Sequence, residues 1–330
     1  MAGDDIRMKN RLVCIALIAT LALSGCQSAK DDYLLYKDTY KTSGDSGSGQ
    51  LSQENFFAEE LAIVNNTDNS GGDKKLTAGS SLLVNRTDHK TLYANHVYHK
   101  LYPASLTKLL TALVVLQNSN MSDEVTISYN ASHITEIGAK LCGFEEGDTI
   151  SLDALLKSML VYSGNDAAVA LAEHVGGSVE SFVKMMNQEA KKIGAVHSNF
   201  INPNGLHDDN QYTTAYDLYL IFNELLNFDS FRTIMPMASY TAQYSDKNGN
   251  PKEKEFKTTD LYLSGEKTAN SEIKVIGGKT GTTSKAGNCL ILLSRDTNKK
   301  EYISVILRAN GSNDLYSQMS HLLSKEITKK

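Results

Sequence analysis

Apolar residues follow two different spacings along this chain, and the changes of spacing divide it into three parts. Short apolar runs at 81–84 and 91–94 flank a polar turn at 85–90, a pattern that predicts two paired strands. Segments with a helical spacing of apolar residues come next, at 106–116, 152–160, 167–174, 179–193 and 214–226. β-rich runs return at 273–276, 289–294 and 302–307, and a final helix is predicted over 313–326.

Strands at both ends of the domain, with helices between them, favour an α+β fold. The first and last strands would join in one antiparallel sheet packed with helices, and the central helices would form a helical subdomain. A cleft between these two parts is the default position for a functional site.

Residues 1–25 have the pattern of an export signal. Three basic residues between positions 7 and 11 precede an apolar run, 12–23, which is shorter than the ~20 residues that a membrane span needs. The run ends in Leu23-Ser24-Gly25-Cys26, which resembles the bacterial lipobox, where the cysteine is lipidated and becomes the new N-terminus. We therefore expect an exported protein, anchored through Cys26 at the outer face of the bacterial cytoplasmic membrane. An ordinary cleaved signal and an uncleaved anchor helix are the alternatives, and Met8 is an alternative start.

Residues 26–76 are poor in periodic apolar positions. Two Gly- and Ser-rich stretches, at 43–49 and 70–73, are typical of a flexible linker. We therefore expect 26–76 to be a tether that lifts a catalytic domain, 77–330, off the membrane.

The composition is that of a globular protein, and it argues against nucleic-acid binding and against a metal site. The 330 residues are 41% hydrophobic and 22% charged, with a net charge of −5 and no basic run, which argues against nucleic-acid binding. The four cysteines form no C-x-x-C or Cys/His spacing, which argues against a metal site. Cys142 and Cys289 are predicted to be buried free thiols, although they could pair if the fold brought them together.

The first cluster with chemical potential is Ser105-Leu106-Thr107-Lys108. Positions i and i+3 share one face of a helix, so the Ser105 hydroxyl and the Lys108 amine can touch. A serine needs a base to become a nucleophile, and burial in an apolar helix lowers the pKa of a lysine towards that role. By itself, the spacing also fits an N-cap serine followed by a solvated lysine.

Two further clusters follow along the chain. In Ser163-Gly164-Asn165 the serine could relay a proton and the asparagine amide could hold a substrate carbonyl, while a plain helix-start turn is the alternative. Lys279-Thr280-Gly281-Thr282 lies in a β-rich segment, where an edge strand could pair with an extended peptide and the polar side chains suit a carboxylate. A solvated strand end is the alternative here.

Together, the three clusters resemble a known motif set. S-G-N and K-T-G occur once each, and they follow the S-x-x-K of Ser105 and Lys108 in this order, at separations of roughly 60 and 115 residues. They resemble the low-molecular-weight penicillin-binding proteins that act as serine-type D-Ala-D-Ala carboxypeptidases (peptidase S11-like), and more distantly the class A β-lactamases. The likeness covers about 79–325. It implies a β-lactamase/penicillin-binding-protein-like fold, with an antiparallel five-stranded sheet flanked by helices plus a helical subdomain.

The resemblance also implies catalytic roles. Ser105 attacks the carbonyl between the two D-alanines of a peptidoglycan stem peptide, and Lys108 takes its proton. Ser163 with Lys279 relays a proton to the leaving D-alanine. The backbone N–H groups of Ser105 and Thr282 form the oxyanion hole.

Substrate-binding roles follow from the same resemblance. Asn165 holds the acyl-side amide, and the group Lys279, Thr280, Gly281 and Thr282 faces the terminal carboxylate. No metal or cofactor is required, and β-lactam antibiotics are expected to inhibit by forming a slow acyl-enzyme.

Two positions depart from the family pattern and leave the substrate preference open. Tyr212 stands where many relatives have a histidine, and Leu315 stands where they place an arginine near the start of the last helix. Arg308 is a weak substitute for that arginine.

Three other functions share the motifs. A D,D-endopeptidase that cuts cross-links is the first. A class A β-lactamase is the second, but it would need a glutamate within E-x-x-L-N, and Asn223 stands at the glutamate position. A non-catalytic, β-lactam-binding lipoprotein is the third.

Overall fold

The computed structural model describes residues 61–64 and 73–327. The predicted signal, the predicted lipidation site Cys26 and most of the predicted tether lie outside the described residues. Within the part of the chain that is described, no helix is long and apolar enough to cross a membrane.

The main sheet has five antiparallel strands. They are β1 (Ser80–Asn85), β2 (Lys90–Asn95), β7 (Ile273–Thr283), β8 (Gly287–Asp296) and β9 (Glu301–Ala309). Their order is β2-β1-β9-β8-β7, so the first and last strands of the domain pair directly, as the sequence predicts. Strand β7 lies at one edge, where an extended peptide could add to the sheet.

Eight helices are described, and some of them pack on the two faces of this sheet while others pack against one another. They are α1 (Thr107–Asn118), α2 (Tyr129–Ser132), α3 (Leu152–Lys157), α4 (Asn165–Gly176), α5 (Val179–Lys192), α6 (Ala215–Leu225), α7 (Asp229–Ile234) and α8 (Ser312–Ile327). A 3₁₀ turn, Ala104–Leu106, precedes α1, and a π-helical turn, Ser158–Tyr162, follows α3. The predicted helices are all present, with ends that differ by a few residues.

A second, smaller sheet was not predicted from the sequence. Its strands, in the order β3-β4-β5-β6, are β3 (Glu124–Thr126), β4 (Thr149–Ser151), β5 (Ser239–Ser245) and β6 (Pro251–Lys257). Two of them are three residues long, too short to show an alternating pattern. Strand β6 is exposed apart from Phe256. The part of the domain predicted to be helical therefore also contains this sheet.

The alternation of side chains along the central strands creates two cores. One face of the sheet, with Leu82, Ile291 and Val305, packs in the larger core with α1, whose residues from Thr107 to Val115 are all buried. The other face packs on α8 through a set of buried apolar residues. They are Leu83, Leu292, Ile306, Met319 and Leu322. Helix α1, which carries Lys108, is therefore the central helix of the larger core.

Residues 61–64 fall inside the predicted tether, yet they pack in this core. Ala62 and Val64 are buried, the Ala62 N–H donates to Tyr219 Oη at 2.9 Å, and Tyr216 Oη donates to the Ala62 carbonyl at 3.2 Å. Leu76 is buried as well. The packed domain thus includes residues that the sequence pattern assigns to the tether.

The cysteine prediction is confirmed where the structure describes it. Cys142 and Cys289 are buried free thiols. Burial raises the pKa of Cys289 to about 11, which is the behaviour of an inert core thiol.

Candidate active site

One cleft brings the three sequence clusters together. It has a volume of about 770 Å³ and lies beside the edge strand β7. Its lining includes six of the residues singled out from the sequence, namely Ser105, Ser163, Asn165, Thr280, Gly281 and Thr282. The other two, Lys108 and Lys279, are buried and reach the cleft residues through hydrogen bonds.

Ser105 lies in the 3₁₀ turn that leads into α1 and is half-buried. The residue before it, Ala104, has a left-handed φ of 47°, which is unfavourable for a residue with a side chain. Close neighbours hold the turn in place. A Cβ on Gly205 would lie 2.0 Å from the Ala104 carbonyl oxygen, and a Cβ on Gly281 would lie 3.1 Å from the Ser105 nitrogen. The backbone can approach this closely only because both positions are glycine.

Lys108 lies in the first turn of α1, three residues after Ser105, and has no exposed surface. Its Nζ lies 2.7 Å from Asn165 Oδ1, 2.5 Å from the Asn204 carbonyl oxygen and 3.2 Å from Ser105 Oγ. A neutral amine has two N–H groups and one lone pair. Asn165 Oδ1 and the Asn204 carbonyl oxygen can only accept, so they take the two N–H groups, and the lone pair is left for the Ser105 hydroxyl proton.

Burial and two nearby cations lower the pKa of Lys108 well below its usual value. Burial is the largest effect, because it disfavours the charged ammonium, and the charges of Lys279 and Lys140 add to it. Asp166 and Cys142 oppose the shift. The environment therefore favours the neutral amine, which can act as a base.

Ser163 closes the π-helical turn with a left-handed φ of 72°. This conformation ends the turn and presents the serine to the cleft, consistent with the frequent occurrence of π-helical turns at functional sites. Lys279 Nζ donates to Ser163 Oγ at 2.9 Å and to the Thr280 carbonyl at 3.0 Å. Burial, followed by the charge of Lys140, lowers the pKa of Lys279 to about 7, while Asp260 opposes the shift.

The start of α4 is tied to a loop, residues 133–148. The Asn165 N–H donates to the Lys140 carbonyl at 2.8 Å. The Asp166 carboxylate accepts the N–H groups of Cys142 at 2.8 Å and Gly143 at 2.7 Å. Because Asn165 Oδ1 accepts from Lys108, its Nδ2 is directed elsewhere and is available to a ligand in the cleft.

Strand β7 forms another wall of the cleft. Thr280 Oγ1 lies 2.5 Å from Thr259 Oγ1, and Thr282 Oγ1 donates to Asn288 Oδ1 at 3.3 Å. A Cβ on Gly278 would lie 1.9 Å from the Ile291 carbonyl oxygen on β8, so this position also requires glycine. These contacts fix the register of the K-T-G segment against its neighbours.

Sequence reasoning did not assign roles to several residues at the site. They are Asn204, Thr259, Lys140 and Asp260. Asn204 belongs to an ordinary Asn-Gly turn, and nothing in its local pattern shows which helix the turn faces. Their contacts depend on tertiary packing alone.

The positions that depart from the family pattern have different surroundings. Leu315 lines the cleft, whereas Tyr212 does not; Lys100 Nζ lies 4.3 Å from the centre of its ring. Arg308 lines an adjoining groove, and Lys285 lines both the groove and the cleft. Among the residues described, no group of three or more His, Cys, Asp or Glu side chains is placed to hold a metal ion.

A serine hydroxyl beside a buried amine, in a cleft walled by an edge strand, defines a site of the acyl-transfer class. The family model for D-alanyl-D-alanine carboxypeptidase, peptidase S11, matches residues 66–311. The chain belongs to this family.

Three relatives illustrate the match. D-alanyl-D-alanine carboxypeptidase DacF of Bacillus subtilis (strain 168) is 32% identical over 255 residues, which is 74% of this chain and 61% of that protein. A D-alanyl-D-alanine endopeptidase of Escherichia coli (strain K12) is 28% identical, over 81% of this chain and 82% of that protein. A mutant of the Streptomyces K15 DD-transpeptidase superposes with a TM-score of 0.72 at 27% identity, covering 77% of this chain and 99% of that one. The match therefore spans about three fifths of the length of the curated carboxypeptidase.

The structural likeness settles the predicted fold. The α+β architecture, with a five-stranded antiparallel sheet flanked by helices, is that of the K15 enzyme, and the prediction is confirmed.

Proposed function

We propose that this protein is a serine-type D-Ala-D-Ala carboxypeptidase, which removes the terminal D-alanine from peptidoglycan stem peptides through an acyl-enzyme on Ser105. The observation that carries the proposal is the fully buried Lys108 amine, 3.2 Å from Ser105 Oγ and with both N–H groups engaged elsewhere. Family membership supports the substrate class.

In the first half-reaction, Ser105 Oγ attacks the carbonyl carbon between the two D-alanines. Its proton passes to the lone pair of Lys108. The oxyanion that forms would be held by the backbone N–H groups of Ser105 and Thr282, which Gly281 brings close together. Losing one donor of this kind typically costs ~3 kcal/mol of transition-state stabilisation.

The leaving D-alanine needs a proton on its amine as the C–N bond breaks. Ser163, which accepts a hydrogen bond from Lys279, can pass this proton on and be resupplied by the ammonium. Asn165 Nδ2 would hold the carbonyl of the acyl-side amide, and the Thr280 and Thr282 hydroxyls would face the terminal carboxylate.

Before deacylation, Lys108 loses the proton that it took and Lys279 regains the one that it gave. Water then attacks the ester carbonyl and gives its proton to Lys108, which passes it to Ser105 Oγ as the ester C–O bond breaks and the shortened peptide leaves as its acid.

A β-lactam is a cyclic amide, so the same attack by Ser105 opens its ring and leaves a covalent adduct. Slow release of this adduct is expected, because the 223–227 segment, which would have to supply the deacylating glutamate of a class A β-lactamase, lies outside the cleft. Asn223 instead accepts a hydrogen bond from Arg86 Nε at 2.9 Å, and it does not line the cleft. The contact supports a carboxypeptidase over a class A β-lactamase.

The test of the proposal is an assay with two substrates. A purified stem pentapeptide ending in D-Ala-D-Ala is expected to release free D-alanine, while a cross-linked peptide dimer is expected to stay intact. Cleavage of the dimer with no release of D-alanine would assign the chain as an endopeptidase. That second candidate is favoured by one observation, since the chain covers 82% of the length of the endopeptidase relative.

The rate of acylation is expected to have a bell-shaped pH dependence. The competent form has a neutral Lys108 and a protonated Lys279, so the rate falls at low pH as Lys108 gains a proton and falls above about pH 7 as Lys279 loses one. The two apparent pKa values read from this profile belong to the coupled pair of lysines, not to either lysine alone. The second-order rate constant with benzylpenicillin, measured from pH 4 to pH 10, checks this.

The variant Lys279→Met provides the control. Without Lys279, the acylation rate should no longer fall at high pH. Because the charge of Lys279 lowers the pKa of Lys108, the fall of the rate at low pH should move to higher pH. A fall at low pH that stays in place would show that the two amines do not interact.

We further propose that Cys26 is lipidated and holds the domain at the outer face of the cytoplasmic membrane. The support is the lipobox-like sequence that ends at Cys26. Cys26→Ser is expected to move the protein from the membrane fraction to the soluble extracytoplasmic fraction of its host, as followed by penicillin labelling of fractionated cells. Retention of the variant in the membrane fraction would show that another segment anchors the chain.

A further inference from the structure

Three charged side chains line the cleft and have no part in the proposed mechanism. Lys285 lies in the turn between β7 and β8, and the other two lie together in one loop. Glu136 and Lys140 lie in the 133–148 loop, one helical turn apart in sequence, and both face the cleft. Neither forms an ion pair with any of the residues that the structure describes. Lys140 Nζ lies 4.0 Å above the centre of the Tyr162 ring, a contact that leaves its charge uncompensated by any acid.

The loop holds these charges in a defined place. The Lys140 carbonyl accepts the N–H of Asn165, and the Asp166 carboxylate accepts two N–H groups from the same loop, at Cys142 and Gly143. The Lys140 backbone is therefore anchored next to Asn165, and Glu136 lies four residues before it in the same loop. Burial of the Lys140 amine lowers its pKa.

The position of Glu136 and Lys140 relative to Asn165 indicates which part of a bound substrate would reach them. The acyl group that Ser105 receives is the penultimate D-alanine, and the next peptide bond back is the one that Asn165 would hold. A peptide extended along β7 advances ~3.4 Å per residue. The residue that precedes the two D-alanines therefore comes beside the 133–148 loop.

We propose that Glu136 and Lys140 form a subsite for the side chain of the residue preceding D-Ala-D-Ala, and that this side chain ends in an ammonium and a carboxylate on one carbon. The inference rests on the proposed function and names its preferred substrate. Glu136 pairs with the ammonium and Lys140 with the carboxylate, as in a diaminopimelate side chain.

A side chain with a single charge fits this subsite less well. A lone ammonium, as in lysine, pairs with Glu136 but lies close to the Lys140 cation. A lone carboxylate pairs with Lys140 but lies close to the Glu136 carboxylate. An α-amino-acid head satisfies both charges together, and its net charge of zero matches the zero net charge of the pair.

The test uses four synthetic peptides, N-acyl-X-D-Ala-D-Ala. In these, X is meso-diaminopimelate (both charges), lysine (ammonium only), 2-aminopimelate (carboxylate only) or norleucine (neither). The kcat/KM for D-alanine release is measured for each. We expect the diaminopimelate peptide to exceed the norleucine peptide about tenfold, since one exposed ion pair contributes up to about fivefold.

The variants Glu136→Gln and Lys140→Gln are each expected to lower the diaminopimelate-to-norleucine ratio about three- to fivefold. Only this ratio is compared, because removing the Lys140 charge also changes the pKa of Lys279 and with it the rate for every peptide. Glu146→Gln is the matched control. It removes an exposed acid of the same loop that does not line the cleft, and the ratio should stay unchanged.

Three results would overturn the subsite. A wild-type ratio near one, with D-alanine released from all four peptides, would leave the proposed function standing without it. A ratio that neither variant changes would place the selectivity elsewhere. If Glu136→Gln instead changed the preference between D-alanine and D-lactate leaving groups, the charges would serve the leaving group. Release of D-alanine from none of the four peptides would overturn the proposed function itself.

Discussion

Replacement of Lys108 by methionine is expected to lower the rate of acylation by benzylpenicillin about 10³-fold, the middle of the range for loss of a general base. Methionine fills a similar volume in α1, but its thioether is too weak a base to take the Ser105 proton. The Nζ atom it replaces lies 3.2 Å from Ser105 Oγ and has no exposed surface, so water cannot easily substitute for it. The measurement is the second-order rate constant for labelling with a fluorescent penicillin.

The melting temperature of Lys108→Met shows whether a slower rate comes from loss of the base or from loss of the fold. Lys108→Met leaves Asn165 Oδ1 and the Asn204 carbonyl without their donor, but it also removes a buried amine, so the melting temperature should change by only a few degrees. Lys184→Met, at an exposed lysine of α5, is the control and should label at the wild-type rate. Labelling of Lys108→Met within threefold of wild type would exclude the lysine as the base.

Gly205→Ala is the second change with a large expected effect, although Gly205 has no chemical role of its own. The added Cβ would lie 2.0 Å from the Ala104 carbonyl, and the backbone at 205 has a φ of 85°. Something must move, and the segment in contact is the one that positions Ser105. A shift of about 1 Å in a reacting group can lower the rate about 10²-fold. We also expect a loss of ~2–3 kcal/mol in the free energy of unfolding.

Gly249→Ala is the matched control for Gly205→Ala. Gly249 has a φ of 80°, almost the same, but no atom lies within 4 Å of an added Cβ. This variant therefore bears only the conformational cost, ~1 kcal/mol, and should acylate at the wild-type rate. Chemical denaturation and penicillin labelling of both variants check the pair. Equal rates for Gly205→Ala and wild type would show that the turn before Ser105 tolerates displacement.

The main sheet and most helices could be predicted because their patterns are local. The strands at both ends of the domain have apolar runs long enough to be recognised, and α5 ends at Lys192, two residues before the glycine, Gly194, that its sequence offers as a stop. Strand β6, Pro-Lys-Glu-Lys-Glu-Phe-Lys, has a single buried residue, so its hydrophobic pattern has little to detect. It forms because it pairs with β5 along its whole length.

The residues of the site also fall into those that could be predicted from the sequence and those that could not. The residues of the three motifs could be singled out because their types and order carry the chemistry, and the structure brings all of them to one cleft. Asn204 takes part through its backbone carbonyl, which any residue has, so its type gives no signal. Glu136 and Lys140 look like ordinary solvated charges in the sequence. Only the folding of their loop against α4 places them in the cleft.

Every role proposed for the site depends on an acyl-enzyme at Ser105. Mass spectrometry of the protein after treatment with benzylpenicillin, followed by proteolysis, tests this assignment directly. We expect one adduct with the mass of the antibiotic, on the peptide that contains Ser105, and none in a Ser105→Ala variant that keeps its circular dichroism spectrum. An adduct on any other residue, or the same adduct in Ser105→Ala, would contradict it.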